Sequence, residues 1–393
     1  MKVDFKKLCL NEFLKHKTLY YDKIDFSYVS KAFEILSSKI KLPYIIHIVG
    51  TNGKGSTGRF LAYYLHKKEY KTLHYSSPHI LKFNERIWIN GNDVSDDSLE
   101  IAHKFLQDIY SIELLEKLTY FEYTTLLAFY LSNNFDYLVL EAGLGGEFDA
   151  TNVARNNLSL ITTIGLDHID FLGNTVEKIA RTKMRSVDTK MLIGYQLFDE
   201  VIQTAFEVKE EILKERNTKI EILELKEFDK YDLNSKFASY LKRNLHLVSA
   251  CLEELKIDID LSLFDDTPLF GRCQKILRNV TIDVGHNPLA AQVLLEEFHS
   301  SKNKKINLIY NSYADKDYAQ VLNILKPIIK TITIIDLEDK RIVKKEELIK
   351  VIKDQNLKLN EKIELKDKEE YLVFGSFLVV EKFLSLIGYD ANS

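Results

Sequence analysis

The sequence predicts an α/β protein with mostly parallel sheets. Short apolar runs alternate with amphipathic stretches of helical period along the whole chain. Several runs are apolar at every position, as expected when helices cover both faces of a parallel sheet. The predicted strands are Ile45–Val49, Tyr137–Glu141, Leu158–Thr163, Met191–Gly194, Val280–Val284, Ile306–Tyr310, Thr331–Ile335 and Tyr371–Phe374. The helices predicted between them include Asp97–Tyr110, Tyr123–Leu131 and Leu289–Phe298.

Two domains are predicted because 393 residues exceed the length that one hydrophobic core ordinarily serves. A mixed polar and apolar segment ends at Pro268, and a new strand, turn and helix begin at Val280. We therefore place the hinge at residues 268–275 and predict domains of residues 1–270 and 271–393. The Lys- and Glu-rich segment 207–232 is a weaker boundary candidate, which we interpret as an elaboration of the first domain.

Composition restricts the class of protein. Hydrophobic residues make up 46% and charged residues 28% of the chain, as in a soluble globular enzyme. The charges are spread along the chain with a net charge of −4, which argues against nucleic-acid binding. Cys9, Cys251 and Cys273 lack metal-ligand spacing, so reduced thiols and a cytoplasmic location are predicted. No signal peptide and no membrane span are expected, since long apolar runs are missing.

The strongest functional pattern is a glycine-rich turn that follows one predicted strand and opens a helix. It reads Gly50-Thr51-Asn52-Gly53-Lys54-Gly55-Ser56. Backbone N–H groups, the positive end of the helix dipole and a lysine together form a phosphate cradle. Gly50 and Gly53 are closer together than in the commonest phosphate loop, so the spacing alone also suits an ordinary strand–helix turn. The neighbouring motifs favour binding of a nucleoside triphosphate.

Acidic and histidine side chains follow two other predicted strands. Glu141 ends one strand and precedes the glycine-rich stretch 142–146, and Asp167-His168 follows the next strand. Ligands of α/β folds bind at the carboxyl ends of parallel strands, and carboxylate oxygens suit Mg²⁺. The alternatives are a strand-end acid that faces water and a structural histidine. The shared location favours a metal or phosphate role, with Asp167 orienting the His168 imidazole.

Two weaker patterns complete the set. The loop from Ser77 to Arg86 is either a surface hairpin or a substrate loop in which Arg86 binds a carboxylate with its planar fork. In the second predicted domain, Asp283 ends a strand and could accept a hydrogen bond from a ribose.

In this order, the motifs resemble those of the folylpolyglutamate synthases, the folate branch of the ATP-dependent Mur ligase superfamily. The resemblance implies an N-terminal P-loop ATPase domain of Mur ligase type with a mostly parallel sheet, and a smaller C-terminal Rossmann-like domain for glutamate ligation. The motifs span nearly the whole chain: residues 50–56, 77–79, 85–91, 121–124, 141–146, 149–152, 167–168, 172–175, 271–272, 286–288, 315–317 and 375–376.

The resemblance also implies the reaction. ATP phosphorylates a carboxylate of the first substrate, and the amine of L-glutamate attacks the resulting acyl phosphate. The implied substrates are dihydropteroate, tetrahydrofolate and L-glutamate, with both synthase activities on one chain. ATP and Mg²⁺ are the implied cofactors, and a K⁺ requirement is compatible with the resemblance. We expect a monomer.

Site residues are carried over by motif. Catalytic roles fall on Lys54, Lys183 and His168. The ATP-binding residues are Asn52, Gly53, Lys54, Gly55, Ser56, Arg272 and Asp283. The metal ligands are Ser77, Glu141 and His168, and the glutamate-binding residues are Arg86, His286 and Ser376. The folate-binding residues are Asp25, Phe26, Ser27, Phe121, Glu122, Tyr123, Thr124, Phe148, Asp149 and Ala150.

Lys183 stands at the position of a lysine that CO₂ carbamylates in the family. Carbamylation needs a neutral amine, so the resemblance implies a lowered pKa; the alternative is an exposed helix lysine. The chain departs from the family around this residue. Thr182-Lys183-Met184-Arg185-Ser186 replaces Glu-Lys-Ala-Gly-Ile, Glu147 replaces an arginine, and Arg243-Asn244 replaces His-Gln on the adenine side.

Two other functions were weighed. A cell-wall Mur ligase is disfavoured by the 121–124 and Ser77-Pro78 motifs and by the lack of an N-terminal UDP-binding domain. A nucleotide-binding homologue without catalysis is disfavoured by Lys54, Glu141 and His168 being intact.

Overall fold

A computed structural model of the chain describes residues 4–18, 25–223, 237–264, 269–299 and 305–389. The chain divides into two compact units, Met1–Asn234 with Arg243–Thr267 and Ser235–Lys242 with Pro268–Ser393. Each unit has its own sheet, and helices alternate with mostly parallel strands in both. The predicted α/β class is confirmed.

The first unit is built on an eight-stranded sheet. Its strands are β1 (Tyr44–Val49), β2 (Thr72–Tyr75), β3 (Ile87–Ile89), β4 (Asn92–Asp93), β5 (Tyr137–Glu141), β6 (Leu158–Ile161), β7 (Lys190–Ile193) and β8 (Glu221–Leu223). They lie in the order β4-β3-β2-β5-β1-β6-β7-β8. The strands from β2 to β8 in this order are parallel, whereas β3 and β4 are antiparallel.

Helices pack against this sheet, and two buried apolar clusters among the described residues join them to its strands. The helices are α1 (Leu10–Lys15), α2 (Phe26–Ser37), α3 (Lys54–Lys67), α4 (Asp96–Ile109), α5 (Ile112–Lys117), α6 (Tyr120–Leu131), α7 (Ile169–Leu172), α8 (Val176–Met184), α9 (Glu200–Arg216) and α10 (Ser239–Glu254), of which α10 belongs to this unit from Arg243 onward. One cluster joins α2, α4 and α6 to β2 and β5, and the other joins α8 and α9 to β6 and β7. These clusters hold the loops at the strand ends on a rigid base.

The second unit carries a six-stranded sheet of its own. Its strands are β9 (Gln274–Leu277), β10 (Val280–Asp283), β11 (Ile306–Tyr310), β12 (Ile329–Ile334), β13 (Leu359–Asn360) and β14 (Tyr371–Phe374), in the order β13-β12-β11-β14-β10-β9. Only β9 is antiparallel to its neighbour in this described sheet. The helices are α11 (Pro288–His299), α12 (Tyr318–Leu325), α13 (Lys345–Asp354) and α14 (Phe377–Leu386).

All the predicted strands are present, and each begins and ends within two residues of the prediction. The predicted strands do not include β2, β3, β4, β8, β9 and β13, which are short and lie toward the outside of the sheets or lack a continuous apolar run. The Lys- and Glu-rich segment holds the end of α9 and strand β8, while residues 224–232 of it lie outside the described residues.

Candidate active site

The strand order gathers the predicted motifs of the first unit at one sheet edge. Strands β2, β5, β1 and β6 are adjacent and parallel, so their carboxyl ends lie side by side. The glycine-rich turn follows β1, Ser77 follows β2, Glu141 ends β5 and Asp167-His168 follows β6. This edge is where open parallel sheets bind their ligands.

The glycine-rich turn is fixed to the loop after β6. The backbone N–H groups of Thr51 and Asn52 donate to the Thr163 carbonyl at 2.9 and 3.1 Å. The Thr51 hydroxyl donates to the Gly165 carbonyl at 2.9 Å. A Cβ on Gly50 would lie 1.9 Å from Thr162 Oγ1, so the turn requires glycine there.

Helix α3 begins at this turn with its N–H groups directed toward the loop. Its N-cap, Gly53, has a φ of 89°, and a Cβ there would lie 2.7 Å from Asn244 Oδ1. The Ser56 and Thr57 hydroxyls and Asn244 Nδ2 are buried without a hydrogen-bond partner within the described ranges. Unsatisfied buried polar atoms at a helix N-terminus are suited to a polyanionic ligand.

Lys54 and Glu141 face each other across the turn. Lys54 Nζ lies 4.0 Å from Glu141 Oε1 and donates weakly to the carbonyls of Gly50 and Thr51 at 3.3 and 3.5 Å. Glu141 Oε2 accepts a hydrogen bond from the Ser77 backbone N–H at 3.4 Å, and Glu141 is only 6% exposed. A buried carboxylate beside a phosphate loop suits a hard divalent cation.

His168 caps the short helix α7 in a left-handed conformation, with a φ of 49°. Asp167 Oδ1 accepts the His168 backbone N–H at 2.9 Å, so the aspartate holds the main chain of the predicted ligand. No group of three His, Cys, Asp or Glu side chains suited to a metal occurs among the described residues. The predicted set differs from such a group because its third member is the Ser77 hydroxyl.

Lys183 lies on α8 and is buried, with 5% of its surface exposed. The alternative of an exposed helix lysine is therefore wrong. Burial and, to a lesser extent, the positive charge of Lys54 lower the pKa of its ammonium to about 7, against the opposing effects of Asp167 and Asp149. A substantial fraction of the amine is therefore neutral near pH 7.

The loop after β5 is organised by Asp149. Its carboxylate accepts the Leu144 N–H at 2.8 Å and the Thr151 hydroxyl at 2.6 Å. Thr151 Oγ1 is also 2.8 Å from Nε2 of His47 in β1. Because the Thr151 proton goes to Asp149, His47 donates through Nε2, and burial lowers the pKa of His47 to about 4. This chain of contacts ties the loop to the central strand.

The predicted folate-binding residues fall into an outer and an inner group. Phe148 is 57% exposed and its ring lies 6.4 Å from that of Phe26, which follows the α2 cap Asp25. Phe121 is partly exposed and also belongs to the outer group, and its ring lies 2.6 Å from the place that a Cβ on Gly143 would take. Contact of these aromatic side chains with a flat ligand stays a prediction. The Ser27 hydroxyl donates to the Asp25 carboxylate at 2.6 Å. Ala150, which follows Asp149 in the chain, is buried.

The inner group has structural partners. Glu122 accepts the N–H and hydroxyl of Thr119 at the start of α6. Tyr123 is fully buried with its hydroxyl 2.7 Å from His103 Nδ1, and the Thr124 hydroxyl contacts Tyr75. Contact of these three side chains with a substrate stays a prediction.

Arg86 belongs to a loop that Glu85 organises. The Glu85 carboxylate accepts three consecutive backbone N–H groups, of residues 80–82, at 2.7 Å each. Arg86 Nε donates to His79 Nδ1 at 2.8 Å, and its guanidinium lies 5.3 Å from the Tyr120 ring centroid. Burial and Arg86 together lower the pKa of His79 to about 4. Sequence reasoning assigned no role to Glu85, although its spacing to the preceding loop resembles a capping box.

In the second unit, the predicted residues also follow strand ends. Asp283 is buried at the end of β10, and its carboxylate accepts N–H groups of Gly285 and Cys273 at 2.7 and 2.8 Å and the Tyr240 hydroxyl at 3.3 Å. Burial raises the pKa of Asp283, and Arg272 opposes that shift. The Asp283 carboxylate therefore positions the backbone beside Arg272.

Two of the other predicted residues of the second unit, His286 and Ser376, also lie just after strands. His286 Nδ1 is 3.3 Å from the Val284 carbonyl, just after β10. Ser376 is fully buried after β14, where its hydroxyl accepts the Val379 N–H and caps α14. Arg272 lies 5.2 Å from the Phe377 ring centroid. The roles of these residues toward ATP and glutamate stay predictions.

Comparison with known proteins decides the family. The Mur ligase middle domain family matches residues 48–262. The dihydrofolate synthase/folylpolyglutamate synthase of Buchnera aphidicola subsp. Baizongia pistaciae is 30% identical over 97% of this chain and 97% of its own. The chain belongs to the dihydrofolate synthase/folylpolyglutamate synthase family. The prediction of an ATP-dependent ligase of this family is confirmed, which decides against the cell-wall ligase.

Solved structures of the family have the same fold. The folylpolyglutamate synthetase of Helicobacter pylori is 37% identical, with a TM-score of 0.74 over 97% of this chain and 98% of its own. The bifunctional folylpolyglutamate synthase/dihydrofolate synthase of Yersinia pestis, solved with AMPPNP and Mn, is 22% identical with a TM-score of 0.85 over 98% of this chain and all of its own. The predicted Mur ligase architecture is confirmed. Across the described ranges, no helix has the length and apolar character for crossing a membrane.

Proposed function

We propose that this chain joins L-glutamate to the carboxylate of a pterin or folate through an acyl phosphate, and that dihydropteroate and tetrahydrofolate are both substrates. The observation that carries this proposal is the pairing of Lys54 with Glu141 at the start of α3, at an edge that carries buried, unpartnered hydroxyls. Family membership supplies the class of reaction.

The residues of the turn suit phosphoryl transfer from ATP. Such transfer spreads negative charge over the phosphate oxygens, and positioned cations and N–H groups stabilise that charge. The residues from Asn52 to Ser56 are proposed to bind the phosphates, with Lys54 moving from the carbonyls of its own turn to a phosphate oxygen. Arg272 and Asp283 are proposed to serve ATP from the second unit.

Ser77, Glu141 and His168 are proposed to hold Mg²⁺. The metal would supply a positive charge that polarises the phosphate groups. The buried carboxylate of Glu141 fits this task, since it is a hard oxygen ligand beside the turn. A solved relative was crystallised with AMPPNP and Mn, which supports a nucleotide and a divalent metal in the family.

Lys183 is proposed to react with CO₂ through its neutral amine. A bond forms between the lysine nitrogen and the carbon of CO₂, and one amine proton leaves, so that a carbamate anion replaces the amine. The lowered pKa of Lys183 supports this proposal, because only the neutral form is nucleophilic. We also propose that the ligation reaction requires K⁺.

The remaining assignments follow the two units. Residues 1–270 are proposed to bind ATP and the folate substrate, and residues 271–393 to serve glutamate ligation. Arg86, His286 and Ser376 are proposed for glutamate, and the aromatic group of Phe26, Phe121 and Phe148 for the pterin. We also propose a cytoplasmic monomer without a nucleic-acid partner.

One assay separates the candidate functions. The protein is incubated with ATP, Mg²⁺ and L-glutamate, together with dihydropteroate, tetrahydrofolate or neither, and ADP and glutamylated products are measured. We expect ADP release only with a folate substrate and glutamate present, and a product from each folate substrate. ATP binding without any product would favour the homologue that lacks catalysis. ADP release that does not depend on the folate substrate would overturn the proposal.

A further inference from the structure

The loop after β5 packs directly on the helix segment that carries Lys183. The Glu147 N–H donates to the Thr182 carbonyl at 3.0 Å. A Cβ on Gly146 would lie 2.6 Å from the Lys183 carbonyl oxygen, which also accepts the Ser186 hydroxyl at 2.7 Å. The main chain of the loop therefore touches the main chain of Lys183 with no side chain between them.

Glu147 reinforces this contact through ion pairs with two arginines. Both of its carboxylate oxygens accept Arg185 Nε at 2.9 Å, and Oε1 also accepts Arg216 Nη2 at 2.9 Å. Arg216 Nη1 donates in turn to the Arg185 carbonyl at 2.9 Å. One carboxylate on the loop thus holds the end of α8 and the end of α9.

Acidic side chains of α9 complete the network. Arg185 donates to Glu215 at 2.6 Å and to Glu211 at 3.3 Å, and Arg181 pairs with Glu211 and Glu207. Glu215 and Glu147 raise the pKa of Arg185, so it remains a cation at every pH of interest. Most exposed ion pairs contribute little to stability, but geometry and networks change that. Here the Arg185 and Glu147 side chains are only 17% and 16% exposed.

The other end of the same loop carries residues of the candidate site. The loop starts directly after Glu141 and ends at Asp149, whose carboxylate holds the Leu144 N–H. Lys183 therefore sits where the loop and α8 meet, and the charges of Lys54, Asp167 and Asp149 act on its amine. A shift of the loop along α8 would change the place of this amine.

We propose that Glu147 is a positioning residue: through Arg185 and Arg216 it clamps the loop of residues 143–149 onto the end of α8 and so sets the place of the Lys183 amine. This inference rests on the proposed function for its effect on turnover. Its structural content, the fixed burial of Lys183, can be measured without turnover.

The test compares four variants with the control Glu254→Gln. They are Glu147→Gln, Arg185→Met, Arg185→Lys and the double variant that combines Glu147→Gln with Arg185→Met. Glu254 forms a comparable pair with Lys190 at 2.7 Å in the same unit, away from the loop. Small misplacements of a catalytic group reduce rate strongly. We expect Glu147→Gln to lower kcat by about 10-fold and leave the KM for ATP within about 2-fold. The double variant should match the worse single variant, and Arg185→Lys should lie between wild type and Arg185→Met.

A second readout follows the amine itself. In CO₂-free buffer, lysines are acetylated with a limiting reagent and quantified by peptide mass spectrometry. Lys183 acetylation should rise about 10-fold in Glu147→Gln, whereas Lys17, another buried lysine of this unit, should keep its wild-type rate. Equal rises at both lysines would show general loosening and overturn the proposal, as would unchanged kcat and unchanged Lys183 labelling. If the wild type shows no ligation at all, the proposed function fails while the labelling result still decides the clamp.

Discussion

Lys54 and Lys183 approach the same sheet edge in different environments. Lys54 has a carboxylate at 4.0 Å and carbonyls of its own turn as neighbours. Lys183 is buried, and no salt bridge to it occurs in the part of the chain that the structure describes. The positive charge of Lys54 thus helps to keep the Lys183 amine neutral.

We predict that Lys54→Ala raises the pKa of Lys183 above about 7. Removing a nearby positive charge makes protonation of the amine less costly, so the shift must be upward. The measurement is the pH dependence of Lys183 acetylation in CO₂-free buffer, with Lys67→Ala on the same helix as the control. A midpoint that stays in place or falls would contradict an effect of the Lys54 charge on the pKa of Lys183.

At the scale of elements, strand ends were readable from the sequence because buried parallel strands are continuously apolar and end in polar residues. Glu141 and Asp283 were placed correctly at the ends of β5 and β10 for that reason. The hydrogen-bond or ion-pair partner of each side chain could not be predicted from the sequence in the same way. The clamp joins residues that are 38 positions apart, and only folding brings Glu147 to Arg185.

The clamp also explains two departures from the family pattern. Arg185 stands where the family has glycine and Glu147 where it has arginine, and the structure makes these two residues partners at 2.9 Å. Considered separately, each departure indicates only that the environment of Lys183 differs from that in the family. One sequence alone contains no signal that links the two changes, since a pairing is visible only as covariation among relatives or in three dimensions.

The turn before α3 gives a prediction at this scale. Gly50→Ala should weaken ATP binding by at least about 10-fold, because the new Cβ would lie 1.9 Å from Thr162 Oγ1 and φ is 153°. Gly388→Ala is the matched control, since its φ is also positive, at 64°, and nothing lies within 4 Å of the added Cβ. Calorimetric titration with ATP measures both variants. Wild-type affinity in Gly50→Ala would contradict the assigned turn.

On the scale of the whole molecule, the sequence predicted two α/β units and the edges at which each carries polar residues. It did not predict the contacts of the buried motif residues. Tyr123 and Ser376 match family motifs and are also a core residue and a helix cap, while their roles toward substrates stay predictions. A motif marks a position, and burial decides whether its side chain faces a ligand or the interior.

Binding should be visible as stabilisation of the intact chain. We expect Mg²⁺ and ATP together, at about 100 times the Kd, to stabilise the unit that binds them by about 2.7 kcal/mol. Removing Mg²⁺ with EDTA should lose most of this effect, because the proposed ligand Glu141 would then face the phosphates as an uncompensated negative charge. Urea unfolding with and without EDTA measures it. An equal shift in both conditions would argue against a metal beside Glu141.

The contacts of Lys54 have a kinetic consequence. Its hydrogen bonds to the carbonyls of Gly50 and Thr51 are long, at 3.3 and 3.5 Å, and both partners belong to the turn that it serves. An arriving anion can take over this ammonium by a small side-chain rotation, without melting any secondary structure or breaking a short bond. Capture of a triphosphate by this unit should therefore proceed at the rate of electrostatically guided collision, with no slower rearrangement ahead of it.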